Sequence, residues 1–275
     1  MKVLHAVPGL DEQWSGIAVA AKLLSREQGA LCVEIKKVSR RDIQDADEVW
    51  VHSCWTPCVW RVCSLAIRAH KRLVRMLHGN LDPVRLRYHG WKKWLVGPIE
   101  RHFLRKASKI VATCEAEKGW IQSYLGKRYP HVEVTDIKRF FNLPNSEVDT
   151  LPKDRPLHLL YLGRQHPLKG LDCLAAAVKD IQGVELRVVS NAFGEEKERV
   201  WDWCDILVLP TLSDNFGLVI AEALERGKRV ITTDGAPAWE GGTDYRGRLV
   251  FLEGYRDLMP DERVYVLKNA IIGLR

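Results

Sequence analysis

The 275 residues suffice for two modest α/β domains, and a hydrophobic content of 46% excludes an intrinsically disordered chain. No apolar run approaches the ~20 residues of a membrane-spanning helix, and Pro8-Gly9 interrupts the first apolar run too soon for a secretory signal. The net charge of +7 favours an anionic partner: nucleotide phosphates, acidic lipid headgroups, a phosphorylated glycan or nucleic acid.

Short apolar runs at 3–7, 31–35, 48–52, 73–77 and 110–113 read as strands. Between them, 17–28, 57–70, 92–106 and 115–125 carry helical periodicity. Repeated strand–helix alternation predicts a parallel sheet covered by helices. Residues 142–156 hold three prolines and little periodicity, which marks a linker. A second series follows, with strands at 158–163, 184–189, 206–209 and 229–233 and helices at 170–180 and 217–227. The expected architecture is α/β: two doubly wound, Rossmann-like domains facing across a cleft. Their bounds are 1–145 and 157–260, with a linker at 146–156 and a C-terminal helix at 261–275 that packs back on the first domain. The seven cysteines are odd in number and lack paired spacing, so buried free thiols in a reducing cytosol are expected. His52 with Cys54, Cys58 and Cys63 lacks zinc spacing.

Five segments carry candidate chemistry. Pro8-Gly9 and the Trp14-Ser15-Gly16 turn lie between the first strand and the first helix; a plain loop capped by Ser15 is the alternative. His78-Gly79 closes a strand, where a histidine can hydrogen-bond a ligand or assist proton movement; a structural histidine is the alternative. Residues 85–109 set eight Lys/Arg, among them Lys92, Lys93, Arg101 and Arg105, against one acid and interleave them with aromatics. That suits an anionic membrane surface, a lipid-linked acceptor or nucleic acid, and equally a solvated helix. Gly163-Arg164 and Lys169-Gly170 form a cationic turn after a strand, fit to hold a diphosphate or to sit in solvent. Finally, a strand ending near Pro210 leads through Asp214, Asn215, Phe216 and Gly217 into an apolar helical run from Leu218. A helix N-terminus there suits a phosphate. Asp214 and Glu222, eight residues apart, read as sharing one helix face about 12 Å apart. Asp214 as a simple helix cap is the alternative.

The cationic turn, the Asp214-to-Glu222 spacing and the run Gly227 to Pro237 resemble the retaining glycosyltransferases of family 4, which have the GT-B fold. The resemblance is specific over 157–240 and weaker over 1–145, where 76–83 and 110–117 carry it. It implies that the first domain serves the acceptor and the second the nucleotide sugar, UDP- or GDP-linked, with no further cofactor. Arg164 and Lys169 then bind the diphosphate, Asp214 the sugar hydroxyls and Glu222 the ribose. Asn215, Phe216, Gly217, Leu218, Gly163 and Gly16 complete the donor site, and His78, Asp214, Arg164 and Lys169 form the catalytic set. Two departures stand out: Asp214 replaces the usual Glu, and the usual double glycine near Gly16 is missing. With no Asp-x-Asp metal motif in a fitting place, two cations and a helix terminus are expected to stabilise the leaving diphosphate without a metal. The expected activity is hexosyl transfer with retention to a glycan or lipid-linked glycan, in surface polysaccharide or lipopolysaccharide synthesis. The expected location is the cytoplasm, peripheral on the inner membrane face. Only 16 residues lie between 189 and 206, where family members place a strand and a helix. That shortening supports a rival reading, a nucleotide-sugar- or glycan-binding protein without turnover. A nucleic-acid-binding protein using 85–109 is a second rival, and it leaves the carboxylate motif without a use.

Overall fold

Nearly continuous apolar runs, such as Leu157 to Leu162, interrupted only by His158, and Ile206 to Leu209, become parallel strands buried on both faces. The computed structural model describes every residue except 13–14, 89, 127–130, 145–147, 149, 191, 242–244 and 275. The chain divides into two units, Met1–Ile137 and Lys138–Arg275.

In the N-terminal unit the strands are β1 (Val3–Val7), β2 (Leu31–Glu34), β3 (Glu48–His52), β4 (Arg72–Met76), β5 (Lys109–Ala112) and β6 (Val132–Val134). They pair in the order β2-β1-β3-β4-β5-β6, all parallel. The helices are α1 (Gly16–Gln28), α2 (Arg40–Asp45), α3 (Pro57–Arg68), α4 (Pro83–Arg87), α5 (Gly90–Lys106) and α6 (Glu115–Leu125). Ser39 starts α2 with a capping box closed by Asp42, and Thr56 caps α3 ahead of Pro57. Leu4, Ala6, Val49, Val51 and Leu73 join Val59, Val62 and Ala66 of α3 in one core. The alternate positions, His5, Trp50 and His52, face the other side of the sheet yet are also buried.

The C-terminal unit holds β7 (Leu157–Leu162), β8 (Val184–Val189), β9 (Ile206–Leu209), β10 (Arg229–Thr233) and β11 (Leu249–Leu252). Their order is β11-β10-β9-β7-β8, again all parallel. Its helices are α7 (Leu171–Val178), α8 (Gly194–Trp203), α9 (Leu218–Glu225) and α10 (Pro260–Gly273).

The two parallel-sheet α/β units match the expected fold class, and the differences are local. The boundary falls at 137/138 rather than near 146. Residues 138–142 belong to the second unit, where Lys138 Nζ donates to the Ala238 carbonyl at 3.0 Å and Asn142 N–H to Glu225 Oε1 at 3.0 Å. Part of the expected linker, 145–147 and 149, lies outside the described residues. The C-terminal helix, expected to return to the first domain, packs on α7 of its own unit. The short stretch after β8 holds α8, a helix of ten residues.

Candidate functional site

In the C-terminal unit two loops are stitched together. The Leu168 carbonyl accepts from Thr211 Oγ1 at 3.1 Å and from the Leu212 N–H at 2.8 Å. Gly170 has φ +69°, and a Cβ there would stand 2.1 Å from the Pro210 carbonyl oxygen. A Cβ at Gly235 would stand 1.9 Å from the Thr211 oxygen, so the loop after β10 closes on the same backbone. The Gly235 carbonyl accepts from the Asp214 N–H at 2.7 Å. Bare backbone at 170 and 235 is therefore what lets three loops meet at the C-terminal ends of β7, β9 and β10, the usual ligand edge of such sheets.

These loops bring Lys169 and Asp214 into a partly buried ion pair. Asp214 is not on a helix: α9 begins four residues later at Leu218, with Gly217 as its N-cap and no side chain capping it. The expected one-face geometry for Asp214 and Glu222 is thus replaced by a loop carboxylate at the mouth of α9 and a helix carboxylate within it. Glu222 Oε2 lies 2.7 Å from Lys197 Nζ, supplied by α8. Arg164 is exposed, and its carbonyl accepts from Tyr161 Oη at 2.9 Å. Burial, and then the nearby Asp214 charge, push the Tyr161 phenol up to about 12. Phe216 sits between Phe141 and Trp239, at ring distances of 6.2 and 5.4 Å, and its carbonyl accepts from Trp239 Nε1 at 2.5 Å. That packing holds the backbone from 214 to 218 in place, and Asn215 is itself buried.

Lys197, Gly235, Phe141 and Trp239 were not legible as site residues. Lys197 belongs to a five-residue acidic and basic run, 195–199, whose only signal is its place before the β9 strand.

In the N-terminal unit Ser15 caps α1, accepting from the Ala18 N–H at 3.3 Å, with Gly16 as the first helical residue. Trp14 lies outside the described residues. His78 follows β4 with φ +54°, a left-handed conformation that histidine tolerates better than most residues. The buried Glu117 of α6 fixes its neighbour. One oxygen accepts from the Gly79 N–H at 2.5 Å, and the other from Thr113 N–H and Oγ1 at 2.8 and 2.9 Å. His78 Nε2 lies 2.8 Å from His52 Nδ1, and His52 Nε2 lies 3.0 Å from His5 Nδ1. Burial first, and then Arg85, push His78 down to about 3. Of the two interior histidines, His5 had a sequence signal, as a titratable residue inside an otherwise apolar strand, whereas His52 ends a strand that opens with Glu48.

The basic segment is less uniformly presented than its composition implies. Arg101 stacks on Tyr124, and its Nε donates to the Tyr124 carbonyl at 3.3 Å; Arg105 donates to the Leu125 carbonyl at 3.4 Å. Both hold the C-terminal end of α6, where cations are favoured. Lys93 donates to the carbonyls of Arg85 and Tyr88. Of the four cations expected at a surface, Lys92 alone faces solvent without a backbone acceptor among the described residues, beside Trp91. His89 lies outside the described residues. What α5 does expose is apolar: Trp91, Trp94 and Leu95 are 64%, 78% and 58% exposed, and Ile99 continues the strip. Among the described residues no helix is long and apolar enough to cross a membrane.

Residues 16–138 match the model of Glycosyltransferase Family 4. The match falls on the half whose motifs carried the weaker resemblance. A comparison with curated proteins finds no match. Among solved structures, the Anabaena protein HepE in complex with UDP-glucose is similar at TM-score 0.66 and 16% identity, covering 98% of this chain and 90% of that one. A sucrose-phosphate synthase from Thermosynechococcus elongatus gives 0.64 and 14%, covering 99% and 89%. The lipopolysaccharide outer core galactosyltransferase WaaB, in its apo form, gives 0.62 and 16%, covering 99% and 91%. At these identities the likeness carries the fold, which is GT-B.

Proposed function

We propose that the chain is a retaining glycosyltransferase that moves a hexose from a nucleoside diphosphate sugar to a hydroxyl of a glycan or lipid-linked glycan. The observation that carries this reading is the meeting of Lys169, Asp214 and the uncapped α9 N-terminus at one sheet edge, with Glu222 one turn into the helix. A diphosphate suits the helix N–H groups and Lys169, with Arg164 exposed on the adjoining turn. Asp214 then receives sugar hydroxyls as the diphosphate takes over Lys169, and Glu222 receives the ribose. In transfer, the bond from the anomeric carbon to the phosphate oxygen breaks and its electron pair stays on the diphosphate. The acceptor oxygen bonds the anomeric carbon on the same face and gives its proton to the departing phosphate. Negative charge grows on the diphosphate, where the two cations and the helix terminus act without a metal.

HepE is described with UDP-glucose and WaaB as a lipopolysaccharide galactosyltransferase, which supports a UDP-hexose donor and a role in surface polysaccharide or lipopolysaccharide synthesis. A thermal-shift screen against UDP, GDP and their sugars tests the donor class, because a ligand at 100 times its Kd adds about 2.7 kcal/mol. Arg164→Ala and Lys169→Ala are each expected to cut turnover far more than they lower Tm. No shift with any nucleotide, or turnover that is reversibly abolished by EDTA and restored by magnesium, would count against this reading. Nucleotide binding without transfer or hydrolysis across a donor panel would leave a binding protein.

We further place the enzyme on an anionic membrane surface through α5, by the exposed strip of Trp91, Trp94, Leu95 and Ile99 with Lys92 beside it. Trp94→Ser with Lys92→Glu is expected to release the protein from vesicles rich in acidic lipid, while transfer to a soluble acceptor persists. Charge reversal at Arg101 or Arg105 is the poorer test, because it would also break their bonds to α6. Equal retention of the double variant and the parent on acidic vesicles would exclude this face.

A further inference from the structure

His5 of β1, His52 at the end of β3 and His78, two residues beyond β4, form one hydrogen-bonded row along the N-terminal sheet. It starts at Gln28, the last residue of α1, whose Oε1 lies 2.9 Å from His5 Nε2. It continues from His5 Nδ1 to His52 Nε2 at 3.0 Å and from His52 Nδ1 to His78 Nε2 at 2.8 Å. The rings are held nearly parallel, at 28° and 26°, and His5 also stacks on Trp50 at 5.0 Å and 13°. His5 and His52 are fully buried, while Gln28 is exposed. We propose that Gln28 sets the tautomer of His78 through His5 and His52, so that His78 Nδ1 is a bare lone pair and an obligate acceptor toward a substrate hydroxyl.

Each contact needs one donor and one acceptor, and a neutral imidazole has one of each. Burial lowers the pKa of all three rings, so all are neutral near pH 7. The row therefore has only two arrangements, and one end decides which. An oxygen from Gln28 makes His5 Nε2 the donor and His5 Nδ1 the acceptor. His52 Nε2 must then donate, His52 Nδ1 accept and His78 Nε2 donate. His78 is left with Nδ1 unprotonated. Local charge favours the same polarity. Glu48 acts on His5 at the end where the N–H groups point, and Arg85 acts on His78 at the end where the lone pair emerges. A Gln28 amide that presented its nitrogen instead would impose the opposite arrangement on all three rings. The position also suits substitution: an exposed last-turn residue tolerates Lys or Glu without disturbing the core.

This inference rests on the proposed transfer only in giving His78 a substrate to face; the relay is tested on the free protein. Nitrogen-15 spectra of histidine-labelled protein at about pH 8 read which nitrogen of each ring is protonated. The parent and Gln28→Glu, both with an oxygen at the end, are expected to show His78 protonated at Nε2. Gln28→Lys offers only donors, so every ring should switch and His78 should carry its proton at Nδ1. A parent with Nδ1 protonated, or an unchanged His78 pattern in a folded Gln28→Lys, overturns the relay. The functional arm is kinetic: Gln28→Lys should lose about tenfold in kcat/KM while UDP affinity holds. A switched row with unchanged kcat/KM overturns the substrate contact of His78, and leaves the donor site in the other unit untouched.

Discussion

Glu222→Ala is expected to abolish transfer and to weaken nucleotide binding by about 10- to 150-fold for each ribose hydrogen bond lost, since bonds to a charged group are worth roughly 1.5–3 kcal/mol. The residue lies in α9 behind an uncapped N-terminus, and its carboxylate is aligned by Lys197 at 2.7 Å. A pair that is about a quarter exposed on each side contributes ~1 kcal/mol or less to stability, so the variant should fold with little change in Tm. Affinity and stability therefore separate cleanly. Lys197→Ala sharpens the test. If Lys197 orients the carboxylate for a ribose, its loss lowers affinity modestly; if it competes with the ribose, its loss raises affinity. Titration of UDP and GDP into both variants reads the difference. A folded Glu222→Ala that binds both nucleotides as the parent does would remove Glu222 from the donor site.

The sheets were legible because each buried parallel strand is a short, nearly continuous apolar run bounded by turn residues, as in Val3–Val7 and Ile206–Leu209. Of the elements that escaped notice, β11 carries that signal as the apolar run Leu249–Leu252, and others lack it. Val132–Val134 is three residues long, and α8 opens with Gly194, Glu195 and Glu196 and has a weak apolar stripe. Much of the candidate site was legible as residue types and spacing: Lys169, Asp214, Gly217 and Glu222 all fall at one sheet edge or on the helix leaving it. What spacing cannot convey is where a helix starts. Reading Asp214 onto α9 assumed regular backbone through 214–217, and the bond from the Asp214 N–H to Gly235 shows a loop instead. Nor can composition reveal partners. Arg101 and Arg105 count as surface charge in a sequence, yet in the fold they serve the α6 carbonyls. The histidine row is the opposite case: His5 was visible as a polar residue inside an apolar strand, His52 ends a strand that opens with Glu48, and only the β1-β3-β4 order brings them to His78.

Glu100→Ala is expected to cost about 3–5 kcal/mol, on the order of 10 °C in Tm, as is usual when one partner of a buried ion pair is removed. Glu100 and Arg75 are both fully buried, with Oε1 2.8 Å from Nη2. The other oxygen accepts from the Trp55 N–H at 2.9 Å and from Trp60 Nε1 at 2.7 Å. Arg75 Nε and Nη1 have no hydrogen-bond partner among the described residues, so without Glu100 the guanidinium keeps only the Ser53 carbonyl at 2.8 Å and a distant Cys54 Sγ. A buried ion pair can often be exchanged for apolar residues at no loss, but here the exchange is expected to fail. Arg75→Met with Glu100→Leu would still leave the Trp55 and Trp60 N–H groups without an acceptor, at about 1–3 kcal/mol each. The double variant should therefore lie between Glu100→Ala and the parent. The consequence reaches the site, because the Trp55 bond anchors the turn that leaves His52, where Ser53 and Trp55 are both left-handed at φ 73° and 68°. Urea unfolding of the parent and the two variants gives the order. A Glu100→Ala loss below about 1 kcal/mol, or full recovery by the apolar pair, would show that this carboxylate does not hold α5 and the β3–α3 turn together.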